Sequence, residues 1–205
     1  MLSTLWIQKD LNFLGYNAGV EDGILGINTR NAVRSFQQDF KNVLAVDGIP
    51  GEQTSSKLMY VVKESQKILG VTVDGLAGTE TNKAHNEFRN IKYFKRNEFN
   101  CGCGCGFNHI DVRLVKVLDM IREHFGKPII ITSGVRCVNY NRKVGGVTNS
   151  YHVKNKAADF YVQGVNVYTV LSYCQTLVNQ RILNYTYTNN TNMSGAVHID
   201  IGGIL

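Results

Sequence analysis

The octapeptide Asp22-Gly-Ile-Leu-Gly-Ile-Asn-Thr29 returns twice, as Asp47-Gly-Ile-Pro-Gly-Glu-Gln-Thr54 and as Asp74-Gly-Leu-Ala-Gly-Thr-Glu-Thr81. The shared pattern is Asp-Gly-x-x-Gly-x-x-Thr, and an internal repeat of this kind governs how the residues around it are read. Asp-Gly forms a tight turn, because glycine reaches positive φ at little steric cost. The threonine then falls at or near a helix start, where its side-chain oxygen is expected to cap free N–H groups.

Helical spacing flanks each turn. Ile7, Leu11 and Leu14 share a face before the first, with Gly15 as the expected stop. Ala32, Val33 and Phe36 continue the spacing after Thr29, and Val61, Val62, Ser65 and Leu69 repeat it up to Gly70. In the third copy Ala84 and Phe88 take the places of Ala32 and Phe36. Residues 1–90 therefore read as a small all-α bundle of short helices built from two tandem units. With Ile7-Gln8, Gly15-Tyr16, the Asp22–Thr29 turn, Ala32-Val33 and Phe36-Gln37, this segment resembles the peptidoglycan-binding domain of wall-lytic enzymes. The match is close over residues 4–58 and looser over 60–90. It implies peptidoglycan as a partner. The Asp and Gly residues of the turns are read as structural, and glycan contacts are left to exposed side chains nearby.

Residues 91–205 read differently. Residues 90–100 form a junction, with Tyr93, Phe94 and Phe99 expected to dock on the second domain. Arg113 to Phe125 is an amphipathic helix that turns Leu114, Val117, Leu118, Ile121 and Phe125 inward and is capped by Gly126. Ile129 to Thr132 is a short buried strand; 157–162 and 196–201 are further strands, and 166–180 a helix. Helices and strands mixed in this order predict an α+β domain. The Asn- and Thr-rich stretch from Asn184 to Gly195 reads as a mobile flap.

Three segments of this second domain carry chemistry: Thr132-Ser-Gly-Val-Arg-Cys137, Ser150-Tyr-His152 with Ala157-Ala-Asp159, and Val197-His-Ile-Asp200. A catalytic zinc takes three N or O ligands and keeps a fourth position for water. His152, Asp159 and His198 offer that set. Asp159 sits among small and apolar neighbours, where an unpartnered carboxylate is costly. A single such histidine is ordinarily a satisfied core residue; three potential ligands in strand-like, sparsely charged surroundings point to a metal.

The pattern Ser150-x-His152, Ala157-x-Asp159, then His198-x-Asp200 resembles the zinc D-Ala-D-Ala carboxypeptidases of the M15 peptidase family, which includes phage endopeptidases. Ser133-Gly-x-Arg136, Gly145-Gly146 and the segment from Asn97 to Cys105 support the same resemblance. It implies one zinc ion held by His152, Asp159 and His198, and hydrolysis of peptidoglycan stem peptides. Arg136 would bind a substrate carboxylate or developing charge. Ser150 would hydrogen-bond near the site, since no Gly-x-Ser-x-Gly elbow is present. Two positions depart from the family pattern. Asn155 replaces a glycine, and Asn tolerates positive φ best among the other residues. Gly195 stands where several members carry an acidic general base. Asp200 lies two residues after His198, on the same strand face; it is either the base or, in the preferred reading, the group that orients His198. The alternative is a non-catalytic wall-binding module with a structural zinc.

There are five cysteines, three of them in the run Cys101-Gly-Cys-Gly-Cys105. Cys-x-Cys is tight for an ordinary zinc knuckle. A disulfide from Cys103 or Cys105 to Cys137, a second structural metal and buried free thiols all fit, and free thiols or one disulfide rank ahead of the metal.

With 205 residues, 43% hydrophobic and 19% charged, the composition is that of a packed globular protein. No apolar run reaches the roughly 18 residues of a membrane span. The formal charge of +6 favours polyanions such as anionic wall polymers. Its basic residues are scattered, which argues against a nucleic-acid tail. No nucleic-acid or membrane partner is expected, and two compact cores suggest a monomer. Gln8, Lys9 and Asp10 interrupt the first apolar residues, so the N-terminus does not read as a secretory signal. Action at the bacterial wall would then follow phage-type release or another export route.

Overall fold

The computed structural model describes residues 1–189, 193 and 195–203. The chain forms two compact units, Met1–Asn90 and a second from Ile91 onward. The first is all-α. Its helices are α1 (Thr4–Phe13), α2 (Ile27–Asp39), α3 (Glu52–Leu69) and α4 (Thr79–Asn86), around a core of Ile7, Leu11, Val33, Phe36, Leu58, Val62, Leu69 and Ala84.

The three Asp-Gly turns are built identically, and the threonines do a different job from the one expected. The N-caps of α2, α3 and α4 are Gly26, Gly51 and Gly78, none with a side-chain cap. Thr29, Thr54 and Thr81 lie buried one turn in, where each hydroxyl receives a glutamine N–H: from Gln8, Gln37 and Gln66, each at 3.1 Å. The same amides donate to Asp22, Asp47 and Asp74 at 2.8 Å. Their oxygens accept the backbone N–H of Gly23, Gly48 and Gly75. A buried amide with donors and acceptor all engaged leaves no desolvation debt, so one glutamine fixes a whole turn. Because α2 and α3 each close one turn and open the next, the two tandem units are better described as three overlapping copies. The third is truncated: α4 ends at Asn86, and Phe88 is buried beyond it with φ 50°.

Asp10 ties α1 to the third turn. Its side chain is fully buried, Oδ1 accepts the Ala77 N–H at 2.7 Å, and Oδ2 has no partner among the described residues. Burial, opposed by that N–H, pushes the carboxyl up to about 7. Between about pH 4 and pH 7 the unfolded chain has released this proton and the folded chain still holds it. Ionisation then favours unfolding, so stability falls as pH rises through that window and levels off above it. The loss is on the order of a few kcal/mol at most. The one tryptophan, Trp6, lies on α1 and reports this unit selectively. Denaturant titrations followed by Trp6 fluorescence should show the slope in the natural chain and little of it in Asp10→Asn.

The second unit is α+β. A 3-10 turn (Arg96–Phe99) leads to α5 (Val112–Phe125), β1 (Ile129–Ser133), α6 (Val138–Lys143), β2 (Ala157–Val162), α7 (Val167–Asn179), β3 (Tyr185–Thr188) and β4 (Val197–Asp200). The strands form one antiparallel sheet in the order β1-β2-β4-β3. Phe94 and Phe99 are buried as expected, with rings 5.8 Å apart, but Tyr93 stays 40% exposed beneath the Arg122 guanidinium. β1 is an edge strand: Ile129 is buried while Ile130 is 41% exposed, so it is not the buried strand its apolar run suggests. The expected flap is in part a strand. Tyr185–Thr188 alternates β-forming side chains, burying Thr186 and exposing Tyr185 and Tyr187. Within the same stretch, residues 190–192 and 194 lie outside the described residues. No described helix is long and apolar enough to cross a membrane.

Candidate metal centre

Sheet register assembles the site. Ser133 on β1 faces Asp159 on β2, Asp159 faces His198 on β4, and His198 faces Tyr187 on β3. Directly opposed residues of antiparallel strands project on the same face, so these four form one row across the sheet. His152 joins the row from the turn after α6. That turn needs a left-handed residue, and Asn155 supplies it with φ 64°, as its identity suggested.

His152, Asp159 and His198 are only 3%, 8% and 7% exposed. One ligand atom from each lies within 4.8 Å of the others. Asp159 Oδ1 stands 3.2 Å from His152 Nε2 and 2.7 Å from His198 Nδ1. The far side of each ring is fixed. His152 Nδ1 lies 2.7 Å from the Gly134 carbonyl, which can only accept, so Nδ1 carries the proton and Nε2 is free to ligate. His198 Nε2 lies 3.4 Å from Asp200 Oδ2, leaving Nδ1 for the metal. Gly134 has to be glycine: a Cβ there would sit 2.5 Å from the Phe99 backbone.

Electrostatics show what the cluster favours. Burial alone would raise Asp159, but the His152 and His198 rings set against it hold its carboxyl well below the usual range. Burial alone would lower His198, but Asp159 and Asp200 raise it above the ordinary imidazole value. The pocket thus favours positive charge between a carboxylate and two imidazoles. Two nitrogens and one oxygen suit a divalent zinc with its fourth position left for water or substrate.

The remaining candidates take distinct places. Arg136 donates from Nε to Ser133 Oγ at 2.9 Å and from Nη2 to Asp159 Oδ2 at 2.7 Å. With Thr132, Ser133, Tyr140, Asp159 and Tyr161 it lines a cleft of about 410 Å³. Ser150 Oγ accepts the His152 N–H at 3.3 Å and so supports the ligand's turn. Asp200 Oδ1 accepts from Asn184 Nδ2 at 2.8 Å and from the Gly202 N–H at 3.1 Å. Its other oxygen faces the side of His198 away from Asp159, the position of an orienting group. Gly195 has φ 83°, a conformation that disfavours any acidic side chain at that position. Tyr187 escaped the sequence reading; its ring lies 4.8 Å from that of His198, and only the β3–β4 register brings it there. Asp200→Asn should weaken zinc binding about 10- to 100-fold, because the oxygen facing His198 becomes an amide nitrogen, which cannot accept. Chelator competition measures this directly.

A helical unit joined to an antiparallel α+β unit with a His, Asp, His centre defines a metallopeptidase-type architecture. The model for the Peptidase M15 family matches residues 92–200, more than half of the chain and all three candidate ligands. The chain belongs to the Peptidase M15 family. A model of the peptidoglycan binding domain matches residues 3–58. The chain is also similar to the zinc D-Ala-D-Ala carboxypeptidase of Streptomyces albus G, at 28% identity over 138 residues, 67% of this chain and 48% of that protein. It therefore spans about half the length of this relative.

Proposed function

We propose that this chain is a zinc peptidase that hydrolyses a peptide bond in peptidoglycan stem peptides, as a carboxypeptidase or an endopeptidase. Its first unit would hold it on the wall in the manner of an endolysin, acting as a monomer. The observation that carries the reading is the convergence of His152 Nε2, Asp159 and His198 Nδ1, with the opposite side of each ring already engaged. Three protein ligands rather than four favour a catalytic site over a structural one. Zinc, when bound, activates water near neutral pH and polarises a carbonyl.

The chain's own residues supply the rest. Asp159 and the two histidines fix a buried centre, and Asp159 also lines the cleft. Arg136, locked by Ser133, presents a planar cation to a peptide carboxylate or to charge developing on the scissile carbonyl. Asp200 holds His198 in its ligating orientation. The similarity to a D-Ala-D-Ala carboxypeptidase and the match to a peptidoglycan-binding domain support the stem peptide as substrate, and the chain's positive charge suits an anionic wall.

The second reading is a wall-binding module with a non-catalytic zinc. Gly195 favours it, as does the cleft lining, in which Asp159 is the one carboxylate among the described residues. Chelation followed by zinc addition separates the two. Release of new amine termini from purified peptidoglycan should vanish on chelation and return with zinc. Zinc binding that never produces amine termini would support the second reading.

A further inference from the structure

Away from the His, Asp, His centre, four of the five cysteines meet. The sulfurs of Cys101, Cys103, Cys105 and Cys137 all lie within 4.8 Å of one another. Cys101 and Cys103 are 3.4 Å apart, and Cys103 and Cys137 are 3.7 Å apart. Four thiolates around one zinc at about 2.3 Å stand roughly 3.8 Å from each other, whereas a disulfide needs about 2.05 Å. All five cysteines are free.

Backbone geometry explains how so tight a spacing converges. In an extended strand, side chains two residues apart share a face but stand about 6.6 Å apart. Here Gly104 and Gly106 adopt φ 76° and 79° and curl the run. The Gly104 N–H donates to the Cys101 carbonyl, and the Cys101 N–H to the Phe107 carbonyl. Residues 102–106 are all exposed, so the loop has little apolar burial to hold it. Backbone N–H groups point at sulfur, among them Cys137 to Cys101 Sγ and Tyr140 to Cys137 Sγ, both at 3.3 Å. N–H donors to sulfur favour the thiolate form that binds metal.

We propose that Cys101, Cys103, Cys105 and Cys137 hold a second zinc ion in a closed, four-sulfur structural site. This reverses the preference for free thiols or one disulfide that the spacing alone suggests. Its place in the fold gives it a purpose. Cys137 follows Arg136 directly, and Phe99, two residues before Cys101, accepts the Val135 N–H and packs on Gly134, the residue that fixes His152. The ion would pin the exposed loop to the segment that carries Arg136. The proposal stands whether or not the first centre is catalytic.

Metal analysis of the full chain, purified under reducing conditions, tests it. The natural chain should carry two zinc ions, Cys103→Ser/Cys105→Ser one, and His198→Ala one. Cobalt substitution of the natural chain should give thiolate-to-metal charge-transfer absorption that persists in His198→Ala and disappears in Cys103→Ser/Cys105→Ser. The cobalt spectrum of the natural chain needs no variant to fold. Absence of that absorption in the natural chain, iron in place of zinc, or a disulfide among these four cysteines would overturn the assignment.

Discussion

His198→Ala should lose zinc at the His, Asp, His centre and reduce peptide-bond hydrolysis on the order of 10³-fold or more, since a metal worth several kcal/mol of transition-state stabilisation goes with it. The ring's Nδ1 is the atom 2.7 Å from Asp159, and its removal leaves two protein ligands. It also leaves the buried Asp200 facing a gap, with Asn184 and Gly202 as the remaining partners of its side chain among the described residues. Some loss of stability is therefore expected alongside the loss of metal. Calorimetric zinc titration on protein whose far-ultraviolet dichroism matches the natural chain separates the two effects. Unchanged zinc affinity at this centre would remove His198 from the ligand set.

Arg136→Lys should leave zinc bound yet lower kcat about 10²- to 10³-fold, with a smaller change in KM. The guanidinium makes two contacts at once, through Nε to Ser133 and Nη2 to Asp159, and a single ammonium cannot span both. Steady-state kinetics on a stem-peptide substrate, run beside metal analysis, reads the split. A variant with natural kcat would make Arg136 an ordinary ion-pair partner of Asp159.

Legibility in the sequence follows the range of the interactions. Asp159, His152 and His198 were readable because each sits in a short motif whose neighbours specify strand or turn. Asn155 was readable because positive φ is a local demand with a local chemical answer. The all-α and α+β division was readable from period and repeats. What escaped depends on distant partners. The threonines of the repeat looked like helix caps, and only the folded chain brings Gln8, Gln37 and Gln66 over them. Tyr187 was hidden in a polar stretch because its place beside His198 is set by strand register. β1 read as buried because an apolar run does not reveal that its strand lies at a sheet edge. The cysteine run ranks a metal below free thiols or one disulfide on spacing alone, and only the two left-handed glycines and Cys137, from another segment, complete the cluster. The two proposed metal centres differ in kind for the same reason: one leaves a ligand position for substrate, and the other closes all four on sulfur.

The decisive measurement is mass spectrometry of purified peptidoglycan digested by the intact chain and, in parallel, by His198→Ala. The zinc-peptidase reading predicts new peptide termini at one defined stem-peptide bond with the intact chain alone. Wall binding by both proteins with no new termini from either, while zinc remains bound in the intact chain, would contradict it and leave a targeting module built on a peptidase fold.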